Sequence, residues 1–134
     1  GMFLACRAVG REMLKRKKGR IVNFSSIRSV QGKDNYHAYG PSKGAVNQLT
    51  RTLAVEWARE GINVNAVAPT FTLTDMNRSL LENKEMYNWV VGRIPKGELC
   101  RMEWLVGPVV FLASPGAHFV TGAVLFVDGG WTAG

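Results

Sequence analysis

Apolar and polar positions alternate along the chain in blocks that predict helices separated by short buried strands. Residues 1–18 repeat apolar side chains at helical spacing, and residues 20–24 are apolar at their centre, as expected of a parallel strand covered on both faces. A polar loop follows at residues 26–38. The stripe on the first helix is formed by Met2, Cys6, Val9 and Met13.

A second helix is predicted from Tyr39 to Glu60. Pro41 has no N–H and must lie in its first turn, and Gly61 is placed to cap its far end. This puts Tyr39 at the mouth of the helix. The rest of the chain predicts a strand at 63–67, a loop at 69–76, helices at 77–92 and 101–114, and a last strand at 124–127.

The predicted order is α-β-α-β-α-α-β, which is typical of an α/β protein with a parallel sheet and right-handed crossovers. Ligands of such sheets bind beyond the carboxyl ends of the strands. Ser26 and Pro69 both follow strand ends, and Tyr39 begins the helix between them. We therefore expect these residues to meet at one rim of the sheet.

Composition narrows the class of protein. Hydrophobic residues make up 46% and charged residues 20%, as in ordinary globular domains, and no apolar run is long enough to cross a membrane. Cys6 and Cys100 lack metal-ligand or redox spacing. We expect two buried thiols rather than a disulfide, no bound metal, and a cytoplasmic location.

The formal net charge of +7 has two interpretations. Part of it lies in the basic run at residues 15–20, which would suit a phosphate or nucleic-acid surface. The same run would suit a solvated helix end, where cations face the negative pole of the helix dipole and Gly19 supplies the cap. No aromatic residue interrupts the run, so the helix end is favoured and no nucleic-acid partner is expected.

The candidate chemistry lies in Ser26, Tyr39 and Lys43. Tyr39 and Lys43 are four residues apart, on one face of a helix. An ammonium that close stabilises a phenolate and moves the tyrosine pKa from about 10 toward neutrality, as general acid–base catalysis requires. Ser26, at the end of the first strand, can hold a substrate oxygen. Ser25 is its competitor for that role.

Four blocks in order resemble the short-chain dehydrogenase/reductase family. They are NFSS at 23–26, YGPSKGAV at 39–46, INVNAVAP at 62–69, and FVTG with VDGG at 119–122 and 127–130. The resemblance implies a Rossmann-type doubly wound parallel sheet with helices on both faces. It also implies hydride transfer between NAD or NADP and a small-molecule alcohol or ketone, with a sugar acid, polyol or 3-oxoacyl substrate.

The resemblance assigns a role to each site residue. Tyr39 would be the acid/base, Lys43 would lower its pKa and bond the nicotinamide ribose, and Ser26 would hold the substrate oxygen. Pro69, Thr72 and Thr74 would contact the nicotinamide carboxamide. Thr70 stands where the family usually has glycine, so either the loop keeps φ below zero or the carboxamide site is altered.

Residues 73–95 resemble the family's substrate lid, which closes over the site, although a packed helix pair fits the pattern as well. Arg78 and Arg93 could grip a carboxylate there or be ordinary surface arginines. The apolar residues of the segment are Met76, Leu80, Leu81, Met86, Tyr87 and Trp89.

The family's domain is about twice as long as this chain, and no glycine-rich nucleotide loop follows a strand near residue 1. We expect residues 1–134 to be the C-terminal part of one NAD(P)-binding domain, inactive alone. The alternative is a non-catalytic interaction module.

A homodimer or homotetramer is also expected, because the apolar stripe of the first helix and the second helix together carry more apolar residues than one sheet face needs. On the second helix these residues are Val46, Leu49, Leu53 and Trp57.

Overall fold

The computed structural model describes residues 1–75 and 78–134, with only the backbone of Leu80 and Leu81. The helices are α1 (Met2–Arg16), α2 (Tyr39–Trp57), α3 (Arg78–Glu82), α4 (Lys84–Gly92) and α5 (Glu103–Ala113). The strands are β1 (Gly19–Phe24), β2 (Ile62–Pro69) and β3 (Val124–Val127). Short 3₁₀ turns span Ile27–Ser29, Ala58–Glu60 and Pro115–Ala117.

The three strands form one parallel sheet in the order β1-β2-β3, which confirms the predicted α/β class. β2 is central, and its apolar residues before Pro69 are fully buried because helices cover both of its faces. Phe24 pairs with Val67 at the end of β1, and Pro69 pairs with Val127 at the end of β2. The carboxyl ends of the strands therefore lie along one rim.

The helix predicted at 77–92 is two helices within the described residues, which is a correction. The side chain of Asn83 accepts a hydrogen bond from the backbone N–H of Met86 and caps the start of α4. The chain therefore turns between α3 and α4. Met76, assigned to the lid from the sequence, lies outside the described residues.

The core against α1 and α2 corrects the predicted stripe. Val9 is 45% exposed, and Gly10 instead faces Trp57, whose ring a Cβ at position 10 would overlap. Val46, Leu53 and Trp57 are buried within the chain. Most of the apolar surplus from which a subunit contact was predicted is therefore used in the chain's own core, with Val9 as the exception, and the subunit contact stays a prediction.

The end of α1 also differs from the prediction. Lys17, with φ 49°, is the left-handed cap, and its N–H bonds the carbonyl of Leu14. Gly19 instead begins β1, where a Cβ would collide with the side chain of Met13. Both cysteines are free and buried, as predicted. No helix among the described residues is long and apolar enough to span a membrane.

Candidate active site

The chain leaves β1 in a tightly held turn that positions Ser26. The N–H of Ser25 bonds the carbonyl of Val67 at 2.8 Å, which keeps this segment against β2. The side chain of Ser26 accepts a hydrogen bond from the N–H of Arg28 at 3.2 Å and starts the 3₁₀ turn. The Ser26 hydroxyl is therefore an acceptor here, and its own proton is left for another partner.

Tyr39 and Lys43 lie on one face at the start of α2. The ammonium of Lys43 is 5.7 Å from the centre of the Tyr39 ring and donates to the carbonyl of Phe24 at 3.0 Å. Lys43 thus links the first turns of α2 to the end of β1, two residues before Ser26. The Tyr39 side chain is 43% exposed, so its phenol is open to an incoming molecule.

Asn47 is a positioning residue that sequence reasoning missed. Its amide oxygen accepts from the Ser25 hydroxyl at 2.5 Å, and its amide nitrogen donates to Ser29 at 2.8 Å. The hydroxyl of Ser29 in turn donates to the carbonyl of Ser26 at 2.5 Å. Asn47 lies one helical turn beyond Lys43 on the same face, and that spacing is the signal that could have identified it.

A second buried network lies behind β1. The side chain of Asn23 accepts from the Cys6 thiol at 3.5 Å and donates to Thr50 at 3.0 Å. Burial raises the pKa of the Cys6 thiol, and the bond to Asn23 opposes this effect. These polar groups fix β1 against α1 and α2, so the end of β1 has a defined position relative to α2.

The loop after β2 holds the predicted carboxamide-binding residues. Pro69 ends β2, and the hydroxyl of Thr72 donates to the carbonyl of Thr70 at 3.2 Å. Thr72 also forms a parallel bridge with Cys100, and Thr74 is half-buried.

Thr70 keeps a negative φ, since within the described residues only Lys17 and Asn35 among non-glycine residues have a positive one. Of the two possibilities raised by threonine at this position, the unstrained loop is the one observed. The Oγ1 of Thr70 is buried and has no hydrogen-bond partner among the described residues. The loop therefore offers one unused hydroxyl near the carboxyl rim.

The predicted lid segment is partly packed. Val90 and Ile94 are buried with Ile27 and Trp131 in a second core cluster. Arg78 pairs with Asp75 at 2.9 Å on the surface. The guanidinium of Arg93 instead lies over aromatic rings, 5.4 Å from the centre of Trp89 and 5.5 Å from that of Trp131.

The structure thus has a serine just after β1 at the carboxyl rim of the sheet, and an exposed tyrosine beside a lysine at the start of α2. The family model described as enoyl-(acyl carrier protein) reductase matches residues 1–132. The chain belongs to this family, which lies within the short-chain dehydrogenases/reductases.

Similar proteins cover nearly all of this chain. It is 43% identical to a 2-dehydro-3-deoxy-D-gluconate 5-dehydrogenase of Pseudoalteromonas atlantica, over 96% of this chain and 51% of that protein. It is 44% identical to a galactitol 2-dehydrogenase (L-tagatose-forming) of Cereibacter sphaeroides, over 98% and 53%. A gluconate 5-dehydrogenase from Burkholderia cenocepacia, solved in complex with NADP and tartrate, superposes with a TM-score of 0.96 and is 38% identical in sequence. That match covers 98% of this chain and 52% of the other. The chain thus spans about half the length of the relatives it matches.

Proposed function

We propose that the complete protein is an NAD(P)-dependent oxidoreductase of secondary alcohols and ketones, and that residues 1–134 form the C-terminal part of its single nucleotide-binding domain. The observation that carries the proposal is the Tyr39–Lys43 pair, anchored to the end of β1 at the open rim of the sheet. The names of the relatives support sugar acids and polyols as the substrate class. The description of the matching family model, enoyl-(acyl carrier protein) reductase, keeps a 3-oxoacyl substrate as the alternative.

In the reducing direction, Tyr39 donates its phenolic proton to the substrate oxygen, and in oxidation the phenolate takes that proton back. The ammonium of Lys43 stabilises the phenolate by charge. Ser26 donates a hydrogen bond to the same substrate oxygen, because its hydroxyl already accepts from Arg28 and has its proton free. Together the three groups hold and charge-stabilise one oxygen atom.

The nicotinamide half of the cofactor, NAD or NADP, would be bound by Tyr39, Lys43, Pro69, Thr72 and Thr74. The buried, unused Oγ1 of Thr70 fits a ligand with carboxamide donors and acceptors at this rim. When bound, the cofactor supplies or accepts the hydride at the substrate carbon. NADP in the Burkholderia cenocepacia structure supports this assignment.

Tyr39→Phe in the complete protein tests the proposal. The substitution removes only a hydroxyl from an exposed side chain, so folding should be retained while turnover falls by about 10²-fold or more. Tyr87→Phe is the matched control, because Tyr87 is also 40% exposed and lies on α4. Full turnover by Tyr39→Phe would refute the mechanism, and a wild-type protein that turns over no alcohol or ketone would favour the non-catalytic module.

We also propose a dimer or tetramer in the cytoplasm. The support for assembly is a set of exposed apolar side chains, Phe3 and Leu4 on α1 and Val55 on α2. The two free thiols support a reducing compartment. Light scattering of the complete protein tests the first point, and a monomer at micromolar concentration would refute it.

A further inference from the structure

Three cations surround a group of aromatic rings next to the candidate active site. Arg28 comes from the 3₁₀ turn after β1, Lys33 from the following loop, and Arg93 from the end of α4. We call these cations and rings the cationic cage. Its rings are those of Tyr36, Phe71, Trp89 and Trp131.

Arg28 is the central member and is only 8% exposed. Its Cζ lies 5.4 Å from the ring centre of Trp131 and 5.9 Å from those of Tyr36 and Phe71. Nη1 donates to the carbonyl of Gly32 at 3.3 Å. Nε and Nη2 are buried and have no hydrogen-bond partner among the described residues.

The unused nitrogens share one edge of the guanidinium. Nε–H and one Nη2–H point the same way and are spaced to donate to the two oxygens of a carboxylate. The aromatic rings stabilise the charge of the guanidinium in part, but they do not accept hydrogen bonds from its N–H groups. A buried charged group that lacks a hydrogen bond lowers the stability of the fold. The side chain is therefore held ready for an acceptor that this part of the chain does not supply.

No ion pair among the described residues neutralises a cation of the cage. The ion pairs within residues 1–75 and 78–134 do not include Arg28, Lys33 or Arg93. Asp128, next to Trp131 in the last turn, uses its carboxylate on Gly130 and Thr132.

The pKa of Arg28 and that of Lys33 are both lowered, first by burial and then by neighbouring cations. Burial lowers the pKa of Arg28, and the charge of Arg93 lowers it further, against the phenols of Tyr36 and Tyr39. Burial and Arg28 lower the pKa of Lys33, and Asp34 opposes them only in part. Arg28 and Lys33 therefore repel each other, as do Arg28 and Arg93, and Asp34 offsets this repulsion only in part and only at Lys33.

The cage borders the reacting groups. The ring of Tyr36 makes an edge contact with that of Tyr39 at 5.6 Å, and the backbone N–H of Arg28 donates to the Ser26 hydroxyl. A Cβ on Gly40, the residue after Tyr39, would lie 3.4 Å from the carbonyl of Arg28. The cage therefore lies beside Ser26 and Tyr39.

We propose that the cationic cage binds the carboxylate of a hydroxy or oxo acid, with Nε and Nη2 of Arg28 donating to its two oxygens. Lys33 and Arg93 add charge, and the rings exclude water. This inference rests on the proposed function, because it assigns the substrate of that site as an acid in preference to an uncharged polyol. Of the two arginines weighed from the sequence for such a role, Arg93 belongs to the cage and Arg78 does not.

The test compares D-gluconate and L-tartrate with D-glucitol, in which CH₂OH replaces the carboxylate of gluconate. Binding to the complete protein is followed by quenching of tryptophan fluorescence, since Trp89 and Trp131 form the cage, and kcat/KM is measured in parallel. Arg28→Gln and Arg93→Gln are the test variants. Arg78→Gln is the control, because Arg78 is paired with Asp75 on the surface.

We expect at least one of the two acids to bind about 10-fold or more tighter than D-glucitol. Arg28→Gln should weaken that acid about 10- to 100-fold, the range for a lost bond to a charged group, and leave D-glucitol unchanged. Arg93→Gln should have a smaller effect of the same selectivity, about 3- to 10-fold. Arg78→Gln should bind as the wild type does.

The inference is overturned if neither acid binds better than D-glucitol, or if the folded variants lose no selectivity for the acid. Should Arg28→Gln fail to fold, Arg93→Gln decides in the same way. If the acid binds in a way that depends on Arg28 but is not turned over, the carboxylate site is supported and the proposed function is refuted. If acid and polyol are turned over equally and the cage variants change neither rate, the proposed function is supported and the carboxylate site is refuted.

Discussion

Ser25 and Ser26 are adjacent residues with the same side chain, and the structure predicts opposite consequences of removing each hydroxyl. Ser25 faces α2, where its hydroxyl donates to Asn47 at 2.5 Å and also lies 3.3 Å from the carbonyl of Lys43. Ser26 accepts a single bond from the N–H of Arg28. Alanine at each position therefore separates a structural hydroxyl from a substrate-binding one.

Ser25→Ala should lower stability. The Oδ1 of Asn47 would be left buried without the donor it has now, because Asn47 is 3% exposed. Such an unsatisfied group costs about 1–3 kcal/mol of the free energy of unfolding. Turnover should fall only modestly, since Asn47 still holds Ser29, and Ser29 still bonds the carbonyl of Ser26.

Ser26→Ala should behave in the opposite way. The lost bond to Arg28 is a 3.2 Å cap of a short turn, for which about 0.5–1 kcal/mol of unfolding free energy is expected. Loss of a donor to a substrate oxygen that becomes charged lowers kcat by about 10²–10³-fold. The change in kcat should therefore exceed the change in stability.

The assay is a pair of measurements on the complete protein and both variants. Urea unfolding gives the free energy of unfolding, and NAD(P)H-dependent reduction of a ketone gives kcat. The reasoning is refuted if Ser25→Ala is the inactive, stable variant, or if both variants lose stability and kcat in the same proportion. Ser26→Thr, which keeps a hydroxyl at this position, should have a higher kcat than Ser26→Ala.

Three further predictions concern single groups. Lys43→Ala should weaken cofactor binding, because the ammonium proposed to bond the nicotinamide ribose is removed; a cofactor affinity equal to that of the wild type would contradict this. Thr70→Val should raise the free energy of unfolding by about 1 kcal/mol in cofactor-free protein, because a methyl replaces a buried hydroxyl without a partner; a lower thermal midpoint would count against it. Burial raises the pKa of the Cys6 thiol in the folded protein above its unfolded value of about 8.5. The stability that the buried neutral thiol contributes is therefore intact below the unfolded pKa and is lost as the pH rises through the folded pKa. Urea unfolding between pH 7 and 10 should show this fall in the free energy of unfolding, and Cys6→Ala should lack it.

The α/β class and the order of strands and helices along the chain could be predicted because they follow from local patterns. β2 is a continuous buried run, and the helix-forming segments repeat at helical spacing. The error in the α1 stripe falls where an interior position is not apolar. Gly10 is interior because α1 approaches Trp57 closely there, and an apolar stripe drawn through Val9 cannot reveal that.

The candidate site divides in the same way. Tyr39 and Lys43 are one helical turn apart, so their proximity was predictable from spacing, and it is observed. Their chemical roles, and that of Ser26, stay predictions. Asn47 was missed because a buried polar side chain on a helix shows its purpose only when its partners in the 25–29 turn are known.

The cationic cage lay beyond sequence reasoning for a different reason. Its members come from the 3₁₀ turn, two loops, α4 and the last turn of the chain, and no spacing relates them. An acid/base pair such as Tyr39 and Lys43 needs two groups at a fixed short distance, and one contiguous segment can encode that distance. Substrate recognition instead uses residues on several loops, which a rigid sheet brings together. The residues nearest Tyr39 in sequence therefore suggest what reaction occurs, and those such as Arg93 and Trp131, distant in sequence but close in space, determine which molecule undergoes it.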